Sequence, residues 1–222
     1  YLARFHLKVT VVDAGRSRCA LIPLTRNHAG FPEGISGEQL LARMRQQAIL
    51  YGARIIEDEI STLARSSAGY FLAHAAKTSF TAQTVLLATG VVNRRPPMMD
   101  AVMHNYALAA GLIRYCPICD GFEVTDRRVV VLGTGQRGCD EALFLRSYTR
   151  DVTLAAPDDR HELTADQQDM LLAAGVLVAG RCSEITLGRQ EIILDLPEGP
   201  TAFDSLYPAL GSDIRSELAL QV

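Results

Sequence analysis

Two cysteines separated by two residues, Cys116 and Cys119, are the side chains of this sequence best suited to redox chemistry. Pro117 follows the first of them, and proline is favoured in the first turn of a helix. A cysteine at a helix N-terminus has a lowered thiol pKa because the helix dipole stabilises the thiolate. Two thiols at this spacing can close a disulfide, and Asp120 directly behind them can exchange a proton with a thiolate. The segment therefore predicts a redox centre made of Cys116, Cys119 and Asp120.

Structural zinc and inert packing are two other uses of a cysteine pair. A structural zinc site normally takes four ligands, usually two cysteine pairs or a cysteine pair with a histidine pair. This chain has no second close pair, and His104 and His161 stand alone, so we predict no metal site. Burial of both cysteines as packing residues stays open as an alternative. The other three cysteines are predicted to be packing residues: Cys19, Cys139 and Cys182.

A glycine-rich turn follows the cysteine pair, with Gly133, Gly135 and Gly138 in the pattern Gly-x-Gly-x-x-Gly between an apolar run and a helical pattern. In such turns the first glycine permits the tight bend, the second lets a pyrophosphate approach the backbone, and the third lets the helix pack on the strand. The free N–H groups of the helix N-terminus attract the phosphates. We therefore predict a dinucleotide site, the alternative being a tight turn that binds nothing.

The choice of nicotinamide cofactor depends on the end of the next strand, where Asp158 lies in a Pro-Asp-Asp-Arg segment. A carboxylate about 20 residues past the turn accepts a hydrogen bond from a ribose hydroxyl and repels a 2′-phosphate, whereas arginine favours NADP. Asp158 therefore slightly favours NADH over NADPH, the alternative being a solvated loop carboxylate.

The elements that must position these residues alternate between strand and helix, which is typical of an α/β fold with parallel sheets. In the first half, residues 7–15 predict a strand that ends at Asp13, a candidate ribose ligand. Ser36 is a predicted helix N-cap and Gly52 a predicted helix stop. Residues 79–90 predict a further strand, which ends on Ala88, Thr89 and Gly90.

Bulk composition limits the partners. The chain has 222 residues, of which 48% are hydrophobic and 21% charged, as in ordinary globular domains. A net charge of −3 argues against nucleic acid, because binding phosphates needs a basic surface. No apolar run reaches the roughly 18 residues that span a bilayer, and the first residues lack the order of a signal peptide. We therefore expect a cytoplasmic protein with neither a membrane nor a nucleic-acid partner.

Residues 115–145, Tyr-Cys-Pro-Ile-Cys-Asp-Gly through the glycine turn to Glu-Ala-Leu-Phe-Leu, resemble the centre of the low-molecular-weight thioredoxin reductases. Val-Val-Asp-Ala-Gly at residues 11–15 resembles the second strand of that family's FAD domain, and residues 28–48 its Phe-Pro turn and following helix. Residues 84–90 resemble the strand that lies against FAD, and residues 206–211 the strand that closes the NAD(P) domain.

This resemblance implies two Rossmann-like domains. Residues 1–98 would be a partial FAD-binding domain, 99–212 an inserted NAD(P)-binding domain that carries the cysteine pair, and 213–222 the start of the return to the FAD domain. The family's FAD glycine turn is expected before Tyr1 and its closing Gly-Asp segment after Val222. The FAD-binding candidates are Asp13, Ala88, Thr89 and Gly90. The family's His-Arg-Arg signature for NADP falls on Ala156, Pro157 and Asp158.

The resemblance also implies an enzyme that passes electrons from NAD(P)H through FAD to the disulfide. Cys119 would lie nearer the flavin, Cys116 would attack the partner disulfide, and Asp120 would assist protonation. The partner would be a thioredoxin-like protein or a small-molecule disulfide or dithiol, and the expected assembly is a homodimer. Two alternatives stay open: an FAD-dependent dithiol oxidase that uses oxygen, and a truncated, non-catalytic nucleotide-binding module.

Overall fold

The chain divides into two units, each assembled from separate parts of the sequence. The computed structural model describes all residues from Tyr1 to Val222. The first unit comprises Tyr1–Ile22, Ile35–Val92 and Asp213–Val222, and the second comprises Pro23–Gly34 and Asn93–Ser212. The short segment from Pro23 to Gly34 therefore packs with the second unit, although both of its sequence neighbours belong to the first.

Parallel strands joined by helices occur in both units, which confirms the α/β class, although two runs of strands follow one another without an intervening α-helix. The α-helices are α1 (Gly37–Leu50), α2 (Ala101–Ala109), α3 (Pro117–Asp120), α4 (Gly135–Leu145) and α5 (Ala165–Ala173). The strands are β1 (Thr10–Asp13), β2 (Arg54–Glu57), β3 (Ile60–Arg65), β4 (Phe71–Ala75), β5 (Ser79–Ala82), β6 (Val91–Asn93), β7 (Val129–Leu132), β8 (Val152–Ala156), β9 (Leu177–Arg181), β10 (Glu184–Leu187), β11 (Ile192–Leu196), β12 (Gly199–Phe203), β13 (Ser205–Pro208) and β14 (Ser212–Ile214). Four short 3-10 helices complete the list: Leu2–Phe5, Arg18–Leu21, Gly121–Val124 and Ala219–Gln221.

In the first unit, β1 and β2 form a parallel pair that is joined by α1. The Ser36 hydroxyl accepts a hydrogen bond from the backbone N–H of Gln39, and Gly52 follows the helix with a φ of 88°. Both predicted helix ends are thus confirmed, because each supplies what an α-helix terminus lacks. The strands β3, β4 and β5 form an antiparallel sheet, and β6 pairs with β14.

The strand predicted for residues 79–90 is wrong over most of its length. Only Ser79–Ala82 is a strand, and residues 83–90 have no regular secondary structure. A strand is held by hydrogen bonds to a neighbour, and no other strand of this chain pairs with the apolar run. Its side chains are therefore exposed, with Leu86 at 81%. Apolar composition alone predicted the strand, but pairing decides whether one forms.

In the second unit, β13, β7, β8 and β9 form a four-stranded parallel sheet in that order. All four residues of β7 are buried, as is usual for a central parallel strand that is covered on both faces. Val129 and Val131 face a core that includes residues of α4 and α5. Val130 and Leu132 face a second core, to which the antiparallel strands β10, β11 and β12 contribute. The two cores pack on opposite faces of the sheet and hold its carboxyl edge in place. The glycine turn begins at this edge.

Candidate functional site

The cysteine pair forms a disulfide at the start of the short helix α3. The Cα atoms of Cys116 and Cys119 are 5.1 Å apart, and Pro117 occupies the first turn. The backbone N–H groups of Cys119 and Asp120 both donate to the Cys116 carbonyl, which closes the turn. Cys119 is exposed and Cys116 half-buried, so the packing alternative for this pair is wrong. Two of the other cysteines, Cys139 and Cys182, are buried as predicted, and Cys19 is half-buried.

Asp120 is half-buried beside the disulfide, and both of its carboxylate oxygens have partners. Its Oδ1 accepts a hydrogen bond of 2.9 Å from the Tyr207 hydroxyl, and its Oδ2 lies 3.3 Å from the Arg114 guanidinium. Burial raises the pKa of Asp120 above its ordinary value, whereas the Tyr207 hydrogen bond and the Arg114 charge oppose that rise. Asp120 therefore keeps its proton to a higher pH than an exposed aspartate.

Strand β13 holds both side chains that contact Asp120, namely Tyr207 and Arg114, in position. Tyr207 belongs to β13 and is fully buried. Arg114 is tied to the same strand, since its backbone N–H donates to the Leu206 carbonyl and its Nε to the Ser205 hydroxyl. Sequence reasoning missed both residues. A signal existed for Tyr207, because a tyrosine in a buried strand normally needs a partner for its hydroxyl.

A second carboxyl, Glu141 on α4, carries an Oε1 atom that is buried and has no hydrogen-bond partner. Burial raises the pKa of Glu141 to about 7; the charge of Arg137 lowers it and the charge of Asp120 raises it. Near neutral pH this side chain is therefore partly protonated. No sequence pattern distinguishes Glu141 from its acidic neighbour Asp140.

Residues far away in sequence also contact the disulfide helix and the 3-10 helix that follows it. The Asn27 side-chain amide donates a 2.9 Å hydrogen bond to the Cys119 carbonyl, and the Arg26 guanidinium lies 3.7 Å from the Glu123 carboxylate. Both contacts fall within the second unit. They join positions about ninety residues apart, so no local pattern could have indicated them.

The glycine turn lies between β7 and the N-terminus of α4. A Cβ atom at Gly133 would lie 2.7 Å from the Ala209 Cβ, and one at Gly138 would lie 2.8 Å from the Gly133 carbonyl carbon. Gly135 has a φ of 58°, a region that favours glycine. The Thr134 hydroxyl accepts a hydrogen bond from the Glu162 backbone N–H, which braces the turn. Close packing therefore explains why Gly133 and Gly138 are glycines, and backbone conformation explains Gly135.

The loop after β8 starts from the same edge of the sheet, because β7 and β8 are parallel neighbours. Asp158 lies exposed in this loop. Its neighbour Asp159 forms a 2.6 Å ion pair with Arg181, which ends β9 beside Ala156. The sequence did not indicate Arg181, because only the strand register brings it to the loop.

The candidate residues of the first unit lie at the ends of their segments. Asp13 ends β1, and its carboxylate accepts a 3.0 Å hydrogen bond from the Gly15 N–H. The Thr89 hydroxyl donates to the Arg215 carbonyl, and the Arg215 N–H donates to the Gly90 carbonyl. Ala88 is exposed in the irregular segment before them.

Two further properties concern the whole chain. No group of three or more His, Cys, Asp or Glu side chains is arranged to hold a metal ion. None of the helices has the length and apolar character required to cross a bilayer.

Comparison with known proteins gives the family. The sequence profile of the pyridine nucleotide-disulphide oxidoreductases matches residues 1–181. The chain belongs to this family. A thioredoxin reductase of Streptomyces clavuligerus is 30% identical over an alignment of 230 positions that covers 98% of this chain and 70% of that protein. One from Treponema pallidum is 31% identical over 156 residues, which cover 69% of this chain and only 49% of that protein. This member of the family therefore spans about half to 70% of the length of these two relatives, and its resemblance to thioredoxin reductases is confirmed.

Solved structures of related proteins have the same fold as this chain. The protein HlmI superposes with a TM-score of 0.86 at 26% identity over 99% of this chain and 69% of that chain. The thioredoxin reductase of Streptococcus pyogenes shares the fold, with a TM-score of 0.87 at 22% identity over 99% of this chain and 74% of that chain. The α/β fold is thus that of a pyridine nucleotide-disulphide oxidoreductase.

The residues present fit the cofactors of such a fold unequally. The glycine turn at Gly133 offers a nicotinamide dinucleotide a packed strand–turn–helix and the N-terminus of an 11-residue helix. For FAD, the first unit offers the Asp13 carboxylate and the segment from Ala88 to Gly90, but the 222 residues hold no second Gly-x-Gly-x-x-Gly turn for its pyrophosphate.

Proposed function

We propose that this chain carries the dithiol centre of a thioredoxin reductase-like disulfide oxidoreductase. The observation that carries the proposal is the disulfide between Cys116 and Cys119, with the exposed Cys119 and the protonatable Asp120 beside it. Membership of the family supports it. FAD reduced by NAD(P)H would supply two electrons to the disulfide, and the other steps belong to this chain's own residues.

The proposed interchange uses the three residues in order. The Cys116 thiolate attacks one sulfur of the partner disulfide, whose S–S bond breaks as a mixed disulfide forms. The departing thiolate takes a proton from Asp120. The Cys119 thiolate then attacks the Cys116 sulfur, which re-forms the disulfide of this chain and releases the second partner thiolate to be protonated by solvent. Two electrons pass to the partner, which becomes a dithiol.

A protein disulfide suits the surface around the centre. Ile118 lies between the two cysteines in sequence and is 77% exposed, and Phe122 follows closely and is 78% exposed. These two side chains offer apolar surface near the disulfide to another protein. We therefore propose a thioredoxin-like protein as the partner, with a small-molecule disulfide or dithiol as the other candidate.

The cofactor assignments complete the proposal. Residues 1–98 and 213–222 are proposed to contribute to the FAD domain and residues 99–212 to form the NAD(P) domain. The slight preference for NADH rests on Asp158, whereas Arg181 is a cation that could receive a 2′-phosphate at the same edge. One relative, from Arabidopsis thaliana, is named an NADPH-dependent thioredoxin reductase. A cytoplasmic homodimer stays a prediction, which sedimentation of the purified chain tests for assembly.

Trapping of a mixed disulfide tests the proposed function. The chain is reduced with dithiothreitol, freed of reductant, and mixed with oxidised thioredoxin. We expect Cys119→Ser to accumulate a covalent complex through Cys116, because the second attack is removed, and Cys116→Ser to form none. Cys182→Ser, which changes a buried cysteine, is the matched control. Absence of any complex and of any thiol transfer would refute the proposal. Oxygen consumption with a small dithiol and FAD, without nicotinamide, would instead favour the oxidase.

A further inference from the structure

Asp120 is held by two side chains that no local motif indicated. The Tyr207 hydroxyl donates to Oδ1 at 2.9 Å, and the Arg114 guanidinium approaches Oδ2 at 3.3 Å. Tyr207 is fully buried and Arg114 half-buried, so neither contact is a solvated surface pair. We call Tyr207 and Arg114 the Asp120 clamp.

Both partners favour the ionised form of Asp120. Burial, and then the nearby Asp120 charge, raise the pKa of Tyr207, so its hydroxyl remains a donor throughout the working pH range. The Arg114 guanidinium contributes a positive charge. A hydrogen bond from a neutral donor and one from a cation both stabilise a carboxylate, whereas burial destabilises it.

Other charges also face Asp120 and act in the opposite direction. Glu123 on the neighbouring 3-10 helix raises the pKa of Asp120, although the Arg26 guanidinium lies 3.7 Å from the Glu123 carboxylate. Glu141 on α4 interacts with Asp120 through like charge. The state of Asp120 is therefore a balance between two stabilising partners and two opposing influences, burial and Glu123.

We propose that Tyr207 and Arg114 are positioning residues that keep Asp120 able to release its proton during thiol–disulfide interchange. The inference rests on the proposed function of Asp120 as the acid of that step. When Asp120 gives its proton to the departing thiolate it becomes a buried carboxylate. The clamp stabilises that carboxylate through a hydrogen bond to each oxygen. Without the clamp, burial makes Asp120 a weaker acid, and proton transfer to the departing thiolate slows.

The test measures thiol reactivity against pH and needs neither cofactor nor partner. The dithiothreitol-reduced chain is alkylated with iodoacetamide over a series of pH values, and the peptide that holds Cys116 and Cys119 is quantified by mass spectrometry. Asp120 directly follows Cys119, and its ionised form should disfavour a neighbouring thiolate, so we expect the titration of Asp120 to appear as an inflection in the alkylation rate. Asp120→Asn should remove this inflection.

Loss of one donor should move the inflection to higher pH. We expect Tyr207→Phe and Arg114→Gln each to shift it upward by about one pH unit, because the first removes a hydrogen-bond donor and the second a positive charge that stabilise the carboxylate. Arg114→Lys should restore most of the shift, since it keeps the cation. Tyr106→Phe, which changes an exposed tyrosine of the same unit, should leave the profile unchanged.

Two outcomes separate the clamp from the function on which it rests. Unshifted profiles in both Tyr207→Phe and Arg114→Gln would overturn the clamp even if the chain transfers electrons to thioredoxin. Shifted profiles in a chain that forms no mixed disulfide would support the clamp and refute the proposed function. Circular dichroism checks that each variant folds. If Tyr207→Phe does not fold, the profile of Arg114→Gln, a change at a half-buried site, decides whether the clamp acts on Asp120.

Discussion

Replacement of Glu141 by glutamine should stabilise the chain at alkaline pH. Glu141 has a buried Oε1 without a partner, and its pKa is raised from 4.5 to about 7. Between these two values the folded state binds more protons than the unfolded state, so the free energy of unfolding falls as pH rises through this window. Glutamine carries no charge at any pH and removes this dependence.

The expected size follows from the pKa difference. A rise from 4.5 to about 7 corresponds to a penalty of about 3 kcal/mol once Glu141 is fully ionised, at about 1.4 kcal/mol per unit. Part of this penalty is present already at about pH 5, so we expect the wild type to lose about 2.5 kcal/mol from this group between about pH 5 and pH 8. Glu141→Gln should therefore be more stable than the wild type by about 2 to 3 kcal/mol at about pH 8, and by less than about 1 kcal/mol at about pH 5.

Urea unfolding followed by far-ultraviolet circular dichroism provides the assay, since the chain contains no tryptophan. The matched control is Glu198→Gln, an exposed glutamate in the turn between β11 and β12 of the same unit. It should leave the pH dependence as in the wild type. If the curves of Glu141→Gln and the wild type run parallel from pH 5 to pH 8, the assignment of a buried, partly protonated carboxyl is wrong.

Three further predictions follow from single contacts. Gly138→Ala should destabilise the chain by about 1 to 3 kcal/mol in urea unfolding, because its Cβ would lie 2.8 Å from the Gly133 carbonyl carbon; an unchanged midpoint would contradict this packing. Thr164→Ala should cost about 1 kcal/mol, because its side chain accepts from the Gln167 N–H in a capping box, and Thr164→Ser should recover most of that loss. Asp158→Ala should shift the ratio of NADH to NADPH affinity toward NADPH, as measured by nicotinamide fluorescence; an equal change in both affinities would show that Asp158 does not contact the ribose.

Much of the fold could be predicted from local patterns. Ser36 begins a helix as expected, because an N-cap acts on N–H groups within its own first turn. The run at residues 129–132 forms a buried parallel strand, as its apolar composition predicted. The strand expected up to Gly90 was wrong, because strand formation depends on a pairing neighbour that composition does not reveal.

The candidate site also has one part that local sequence predicts and another part that depends on tertiary contacts. The sequence by itself determined the disulfide pair, the acid next to it and the three glycines, because their chemistry depends on spacings of a few residues. Only the tertiary structure decided which groups surround Asp120. Tyr207, Arg114 and Glu141 come from a strand, a loop and a helix that meet through packing. Burial and charge at that meeting point set the protonation of Asp120, and both depend on neighbours that are distant along the chain.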